Sequence, residues 1–181
     1  MSAKSPSRCT AFLGARRVAF GACDEVARAL GALLDRLAGA PGLVWALTGS
    51  CSFRLQGMEV PVYDIDLITD EAGAYLIGGL LADCCEQQVA PSSAPYIRSH
   101  YGRFTLHGVQ VEVMGASRRQ NLDSSWGGPA DLPGLIEHVT SSGLIIPVLS
   151  LVFEEQAYRL LRRDSRADQI AAFLLNRRQQ G

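Results

Sequence analysis

The sequence predicts an α/β (α+β) protein: a small mixed β-sheet with carboxylates on one face and helices on the other, followed by C-terminal helices. Three observations carry this. Short apolar runs alternate with stretches of helical periodicity in the first half, a two-residue hairpin signal joins two strands in the middle, and residues 149–181 are amphipathic. The corresponding organisation is a loose tail over 1–10, a core over 11–148 and a helical extension over 149–181.

Taken in order, residues 1–10 are polar and carry no periodicity. Asp24 to Leu37 form a helix, because Val26, Leu30, Leu33, Leu34 and Leu37 fall on one stripe. The segment AGAPG ends it. Leu43 to Thr48 is short and mostly apolar, as a buried strand is. Gly49-Ser50 follow as a tight turn, and a short helix opens near Ser50. A second strand runs from Val60 to Ile68, with Pro61 at its entrance. Asp70 caps a helix over Glu71 to Gln87. Ala90 to Pro95 is a turn-rich connection. Strands Tyr96–Leu106 and Val109–Met114 are joined by the His107-Gly108 turn. Residues 116–134 are loop-like. Leu149, Val152, Phe153, Leu160 and Leu161 mark a helix after Pro147, and a last helix covers Arg166 to Arg178.

Composition excludes several classes. The 181 residues are 48% hydrophobic and 19% charged, with a formal net charge of −1. A constitutive nucleic-acid or membrane binder would show a basic excess. The only lysine is Lys4, so any side-chain contact to phosphate falls to arginine. Five cysteines, none at C-x-x-C spacing, argue against a disulfide framework or a zinc site. Free thiols, a polar start and the absence of a membrane-length apolar run point to a cytoplasmic protein.

The chemistry concentrates in GSCSFRLQGMEVPVYDIDLITD. Strand period puts Asp64 and Asp66 on one face and Ile65 and Leu67 on the other. Two such carboxylates repel unless a cation lies between them, and Mg²⁺ takes one or two carboxylates together with substrate phosphates. In VQVEVM the valines face the core, so Glu112 faces away from it and supplies a third carboxylate for a two-metal site. At Gly49-Ser50 the backbone can approach a phosphate closely, with the Ser50 hydroxyl as a further donor. Arg54, in the short helix, is a candidate phosphate contact. A calcium loop starting at Asp64 fails, because Thr69 stands where that loop needs glycine.

This order of GS, spacer, D-x-D and later strand carboxylate resembles the DNA-polymerase-β-like nucleotidyltransferase superfamily. Its nearest flavour is the small bacterial group with lincosamide, aminoglycoside and toxin-type nucleotidyltransferases. The resemblance covers roughly Leu43 to Met114 and extends more weakly into the C-terminal helices. It implies ATP or another nucleoside triphosphate, two Mg²⁺ ions, and transfer of a nucleoside monophosphate to a hydroxyl. Gly49 and Ser50 match the phosphate turn, Asp64 and Asp66 the metal pair, and Glu112 the third carboxylate and a base for the acceptor hydroxyl. The acceptor is a small molecule or a protein; the neutral charge speaks against nucleic acid, and no membrane partner is expected. The alternative is a non-catalytic nucleotide- or partner-binding protein of the same fold, a regulatory or toxin–antitoxin component. Convergence of the three carboxylates near the Gly-Ser turn separates the two.

Overall fold

The computed structural model describes residues 11–13, 16–18 and 24–179. The segment 1–10, with Lys4 and Cys9, and also Cys23, lies outside them. Two short strands, β1 (Ala11–Leu13) and β2 (Arg16–Val18), pair antiparallel. Helix α1 spans Asp24–Leu37, β3 Trp45–Thr48, α2 Gly49–Leu55, β4 Asp64–Thr69 and α3 Glu71–Leu80. Strands β5 (Cys85–Ala94), β6 (Ile97–Leu106) and β7 (Val109–Arg119) follow, then β8 (Ile136–Ser141) and β9 (Leu144–Leu149). Helices α4 (Leu151–Leu160) and α5 (Asp164–Gln179) complete the chain.

The main sheet is mixed and has seven strands in the order β5-β6-β7-β4-β3-β9-β8. Strand β4 runs parallel to β7 and antiparallel to β3, and β3 runs parallel to β9. Its back face is the main core. Ile65 and Leu67 of β4 and Val109, Val111 and Val113 of β7 pack with Leu30, Leu33 and Leu37 of α1 and Ala74 and Ile77 of α3. Burying each of the larger side chains contributes about 1.5–3 kcal/mol. That back-face burial fixes the register and sends Asp64, Asp66 and Glu112 to the front.

The α/β class, the α1 range and the Asp70 cap agree with the sequence reading; Asp70 Oδ1 accepts the Gly73 N–H at 2.6 Å. The hairpin agrees as well, with His107 and Gly108 both at positive φ, 49° and 79°, as a type I′ turn requires. Four boundaries are corrected. Val60 to Tyr63 lie outside β4, so Pro61 belongs to the connection. Helix α3 stops at Leu80 instead of Gln87, and a 3-10 turn at Ala82–Cys84 leads into β5. The expected turn region Ala90–Pro95 lies largely within β5, which takes Pro91 because it is an edge strand with bulged pairing to β6. The hairpin β8–β9 runs through Pro147 to Leu149, so the helix expected from Leu149 begins at Leu151 and Pro147 and Leu149 are strand residues. Short apolar runs such as LIIPVL do not separate strand from helix by period.

The front face has its own apolar patches. Ala46, Ile68 and Leu149 are covered by Leu132 and Phe153. Phe53 of α2 packs with Leu151 of α4 and Ile170 of α5. Helix α4 is thereby laid across the end of β3. Among the described residues no helix is long and apolar enough to cross a membrane.

Candidate active site

Register places the acidic residues. Asp66 pairs with Glu112 across the parallel β4–β7 ladder and with Thr48 across the antiparallel β3–β4 ladder, and Asp64 pairs with Gln110. Paired residues on neighbouring strands project from the same face. Asp64, Asp66 and Glu112 therefore share the front face, with Asp66 at the centre of a row running Glu112, Asp66, Thr48. Burial, then the charges of Asp64, Glu112 and Glu154, push the Asp66 carboxyl up to about 8. A carboxyl in that position is short of positive charge.

The turn after β3 is shaped around Asp66. Gly49 has φ +66°, and a Cβ there would lie 2.2 Å from Asp66 Oδ2. Only glycine permits both the backbone angle and the approach. Ser50 Oγ donates to Asp64 Oδ1 at 3.3 Å. Glu112 is held by its strand neighbour. Gln110 Nε2 donates to its Oε1 at 2.9 Å. The Tyr101 phenol lines the same cleft and is raised above its usual value, first by burial and then by the Glu112 carboxylate.

Helix α4 closes the front of this site and brings a fourth carboxylate. Glu154 is buried, and its Oε1 accepts hydrogen bonds from the Thr48 hydroxyl and from the Gly49 N–H, the latter at 3.3 Å. Burial lifts its pKa to about 7, opposed by Thr48, Arg119 and Gly49. The cleft between sheet, β5–β6 hairpin and α4 has a volume of about 600 Å³ and is lined by Asp66, Glu112, Tyr101, Glu154, Arg119 and Arg163 among others. Arg163 lies over the Tyr158 ring, 5.9 Å from its centroid.

Arg119 reaches the cleft through a break in strand alternation. Gln110, Glu112 and Met114 face the front, and Gly115 packs at the back, where an added Cβ would meet Ala74 and the Asp70 carbonyl. Unbroken alternation would send Arg119 to the back as well. Instead Ala116 takes φ +48°, and the β6–β7 register shifts between Arg98 and His100. Such a bulge re-aims the side chains beyond it. Arg118 then lines a second recess beside Trp126 and Arg98, while Arg119 enters the cleft.

Of the sequence-predicted residues, Asp66, Glu112 and Gly49 line the cleft, and Asp64 and Ser50 are hydrogen-bonded beside it. Arg54 sits in the last turn of α2 and is not among the lining residues. The sequence reading missed Glu154, Arg119 and Tyr101. For Glu154 a signal existed: it falls on the stripe Leu151, Glu154, Ala157, Leu161, where a carboxylate has no reason to sit unless it is used. Arg119 carried no signal, since period alone assigns it to the wrong face.

Residues 29–171 match the aminoglycoside-2''-adenylyltransferase family. Among solved structures, the chain is similar to a candidate nucleotidyltransferase from Thermotoga maritima, TM1012. The two are 40% identical, with TM-score 0.73 over 85% of this chain and 95% of that one. The lincosamide antibiotic adenylyltransferase LnuA, solved with lincomycin bound, shares the fold at 15% identity and TM-score 0.51, over 78% of this chain and 94% of that one. No curated protein matches the chain. The fold is that of the nucleotidyltransferases. The chain belongs to the aminoglycoside-2''-adenylyltransferase family within that class, which is a family of enzymes.

Proposed function

We propose that this protein is a metal-dependent nucleotidyltransferase, moving a nucleoside monophosphate from a nucleoside triphosphate, ATP by family, to a hydroxyl of an acceptor. The observation that carries the reading is the row Glu112, Asp66, Thr48 with Asp64 one step along β4, set against the Gly49 turn.

The donor set suits a hard divalent cation such as Mg²⁺. Asp64, Asp66 and Glu112 offer oxygen only, and burial first, then the neighbouring carboxylates, raise the Asp66 carboxyl, a state that a cation would relieve. Among the described residues no group of three or more His, Cys, Asp and Glu is gathered tightly enough to hold a metal by itself. Mg²⁺ seldom uses such all-protein cages and commonly arrives with the substrate phosphates, so Asp64 and Asp66 would hold the ions jointly with the triphosphate, and Glu112 would complete one site. Bound there, the two ions would neutralise the charge that develops on the transferred phosphoryl group.

The chain's own groups do the rest. The bare backbone at Gly49 lets Asp66 sit directly against the turn that would receive the phosphates, and the Ser50 hydroxyl, now on Asp64, is a donor at hand. Gln110 orients Glu112, which in the reaction takes the acceptor's proton. Arg163, which lines the cleft, supplies positive charge that Arg54, at the far end of α2, does not. The wall formed by Ala94, Tyr96, Ile97 and Leu161 suits a small-molecule acceptor better than nucleic acid. The free thiols Cys51, Cys84 and Cys85 fit a reducing cytoplasm.

The test is calorimetric titration of ATP with Mg²⁺ into the wild type and into an Asp64→Ala, Asp66→Ala double variant. Binding that needs Mg²⁺ and is lost in the variant is the expected result. Absence of binding for ATP and for the other nucleoside triphosphates would sink the reading.

A further inference from the structure

We propose that Arg119 is a ligand of the nucleotide's phosphates, placed in the cleft for that purpose by the bulge at Ala116. This rests on the nucleotidyl-transfer reading above and adds a binding residue to it. Three independent observations support it.

The first is an unsatisfied cation. The Nε of Arg119 is fully shielded from solvent and has no hydrogen-bond partner, and among the described residues Arg119 forms no ion pair. Burial lowers its pKa from the usual value, so the protein bears a desolvation cost that its own contacts do not offset. The second is the route by which it arrives. A non-glycine residue at φ +48° costs free energy, and here that strain changes the face on which Arg119 emerges. The third is location. The side chain lines the same cleft as Asp66 and Glu112, with its guanidinium 5.2 Å from the Phe153 ring centroid. A guanidinium held against a ring keeps its fork oriented, which suits bidentate contact with phosphate.

A competing role is charge compensation. Glu154 acts on Arg119 through space, and each favours the other's charged form. The two roles separate cleanly by substitution. Lysine preserves the charge that would balance Glu154 but lacks the fork that grips phosphate.

The experiment is titration of ATP with Mg²⁺ into wild type, Arg119→Lys, Arg119→Gln and the Asp64→Ala, Asp66→Ala variant, with thermal unfolding of each measured without ligand. The expected result is a Kd raised about 10-fold in Arg119→Lys and about 10- to 100-fold in Arg119→Gln, with the ligand-free unfolding midpoint of Arg119→Lys held within a few degrees of wild type. Arg119→Lys is the deciding variant should Arg119→Gln fold poorly. Wild-type affinity in a folded Arg119→Lys, with binding still abolished in the double aspartate variant, overturns the Arg119 assignment and leaves the proposed function standing. A wild type that binds no nucleoside triphosphate removes both.

Discussion

A β-carbon added to Gly49 would lie 2.2 Å from Oδ2 of Asp66. The turn and the central carboxylate are thus one mechanical unit: the backbone can follow its path only while position 49 lacks a side chain, and Asp66 can keep its place only while the backbone does. Gly49→Ala is expected to cost about 1–3 kcal/mol of stability, from positive φ and overpacking together. It should weaken Mg²⁺–ATP binding at least tenfold. Denaturant unfolding and calorimetry read the two effects. A variant with wild-type stability and affinity would show that Asp66 moves aside freely.

Asp66 gives a pH dependence. Burial, then Asp64, Glu112 and Glu154, hold its carboxyl at about 8. Below that pH it carries a proton, which must leave before the carboxylate can hold a cation. Mg²⁺–ATP affinity is therefore expected to rise with pH from 6 to 8, by up to about tenfold per unit, and to level off above 8. The binding should release protons, seen as a buffer-dependent calorimetric enthalpy. Affinity that is flat over this range would contradict the assignment.

Glu154 should show itself in stability. Its pKa is raised in the folded state from 4.5 to about 7, mainly by burial, so the native protein holds this proton more tightly than the unfolded chain. The resulting stabilisation is present below pH 4.5 and is lost as pH rises through 7, by on the order of 1 kcal/mol per pH unit inside that window. Glu154→Gln keeps the size and one acceptor oxygen but does not titrate. Urea unfolding at pH 4.5, 6 and 7.5 should show wild type losing ground to Glu154→Gln across the window; parallel curves would rule this out.

Asp70→Ala removes the side chain that accepts the Gly73 N–H at 2.6 Å. A loss of about 1 kcal/mol is expected. Because α3 packs on the back face, away from the cleft, nucleotide affinity should stay at the wild-type value. A change in affinity would mean that α3 transmits to the site.

Much of this was legible in the sequence, and the exceptions have physical causes. The α1 stripe, the alternation of DIDLI and VQVEV and the His107-Gly108 turn are local signals, and each element lies where its pattern says. Asp64, Asp66 and Glu112 could be assigned to a common face because valine and isoleucine on the other face leave no choice. Strands β5 and β8 were hidden because prolines and polar residues blur their alternation, and β9 because its inner edge is paired by β3, a hundred residues away. Pro91 and Pro147 read as breaks, yet one sits on an edge and the other in a hairpin whose Ser142-Gly143 turn, both residues at positive φ, was itself a readable signal. Arg119 was hidden for a different reason: a bulge cancels the period from which its direction would be inferred.

The pairing of β3 has a consequence for the chain as it is being made. Its first neighbour, β4, follows within about twenty residues, but its second, β9, pairs through Leu47 and Val148, a hundred positions later. Until β9 emerges, β3, an interior strand of the finished sheet, is an outer one, with unpaired amides beside the apolar side chains of Ala46 and Leu47. Exposed edges of this kind recruit other chains. A product truncated before Leu144 would therefore carry an adhesive strand next to an acidic cluster lacking Glu154, and degradation or chaperone capture is the fate such a fragment invites.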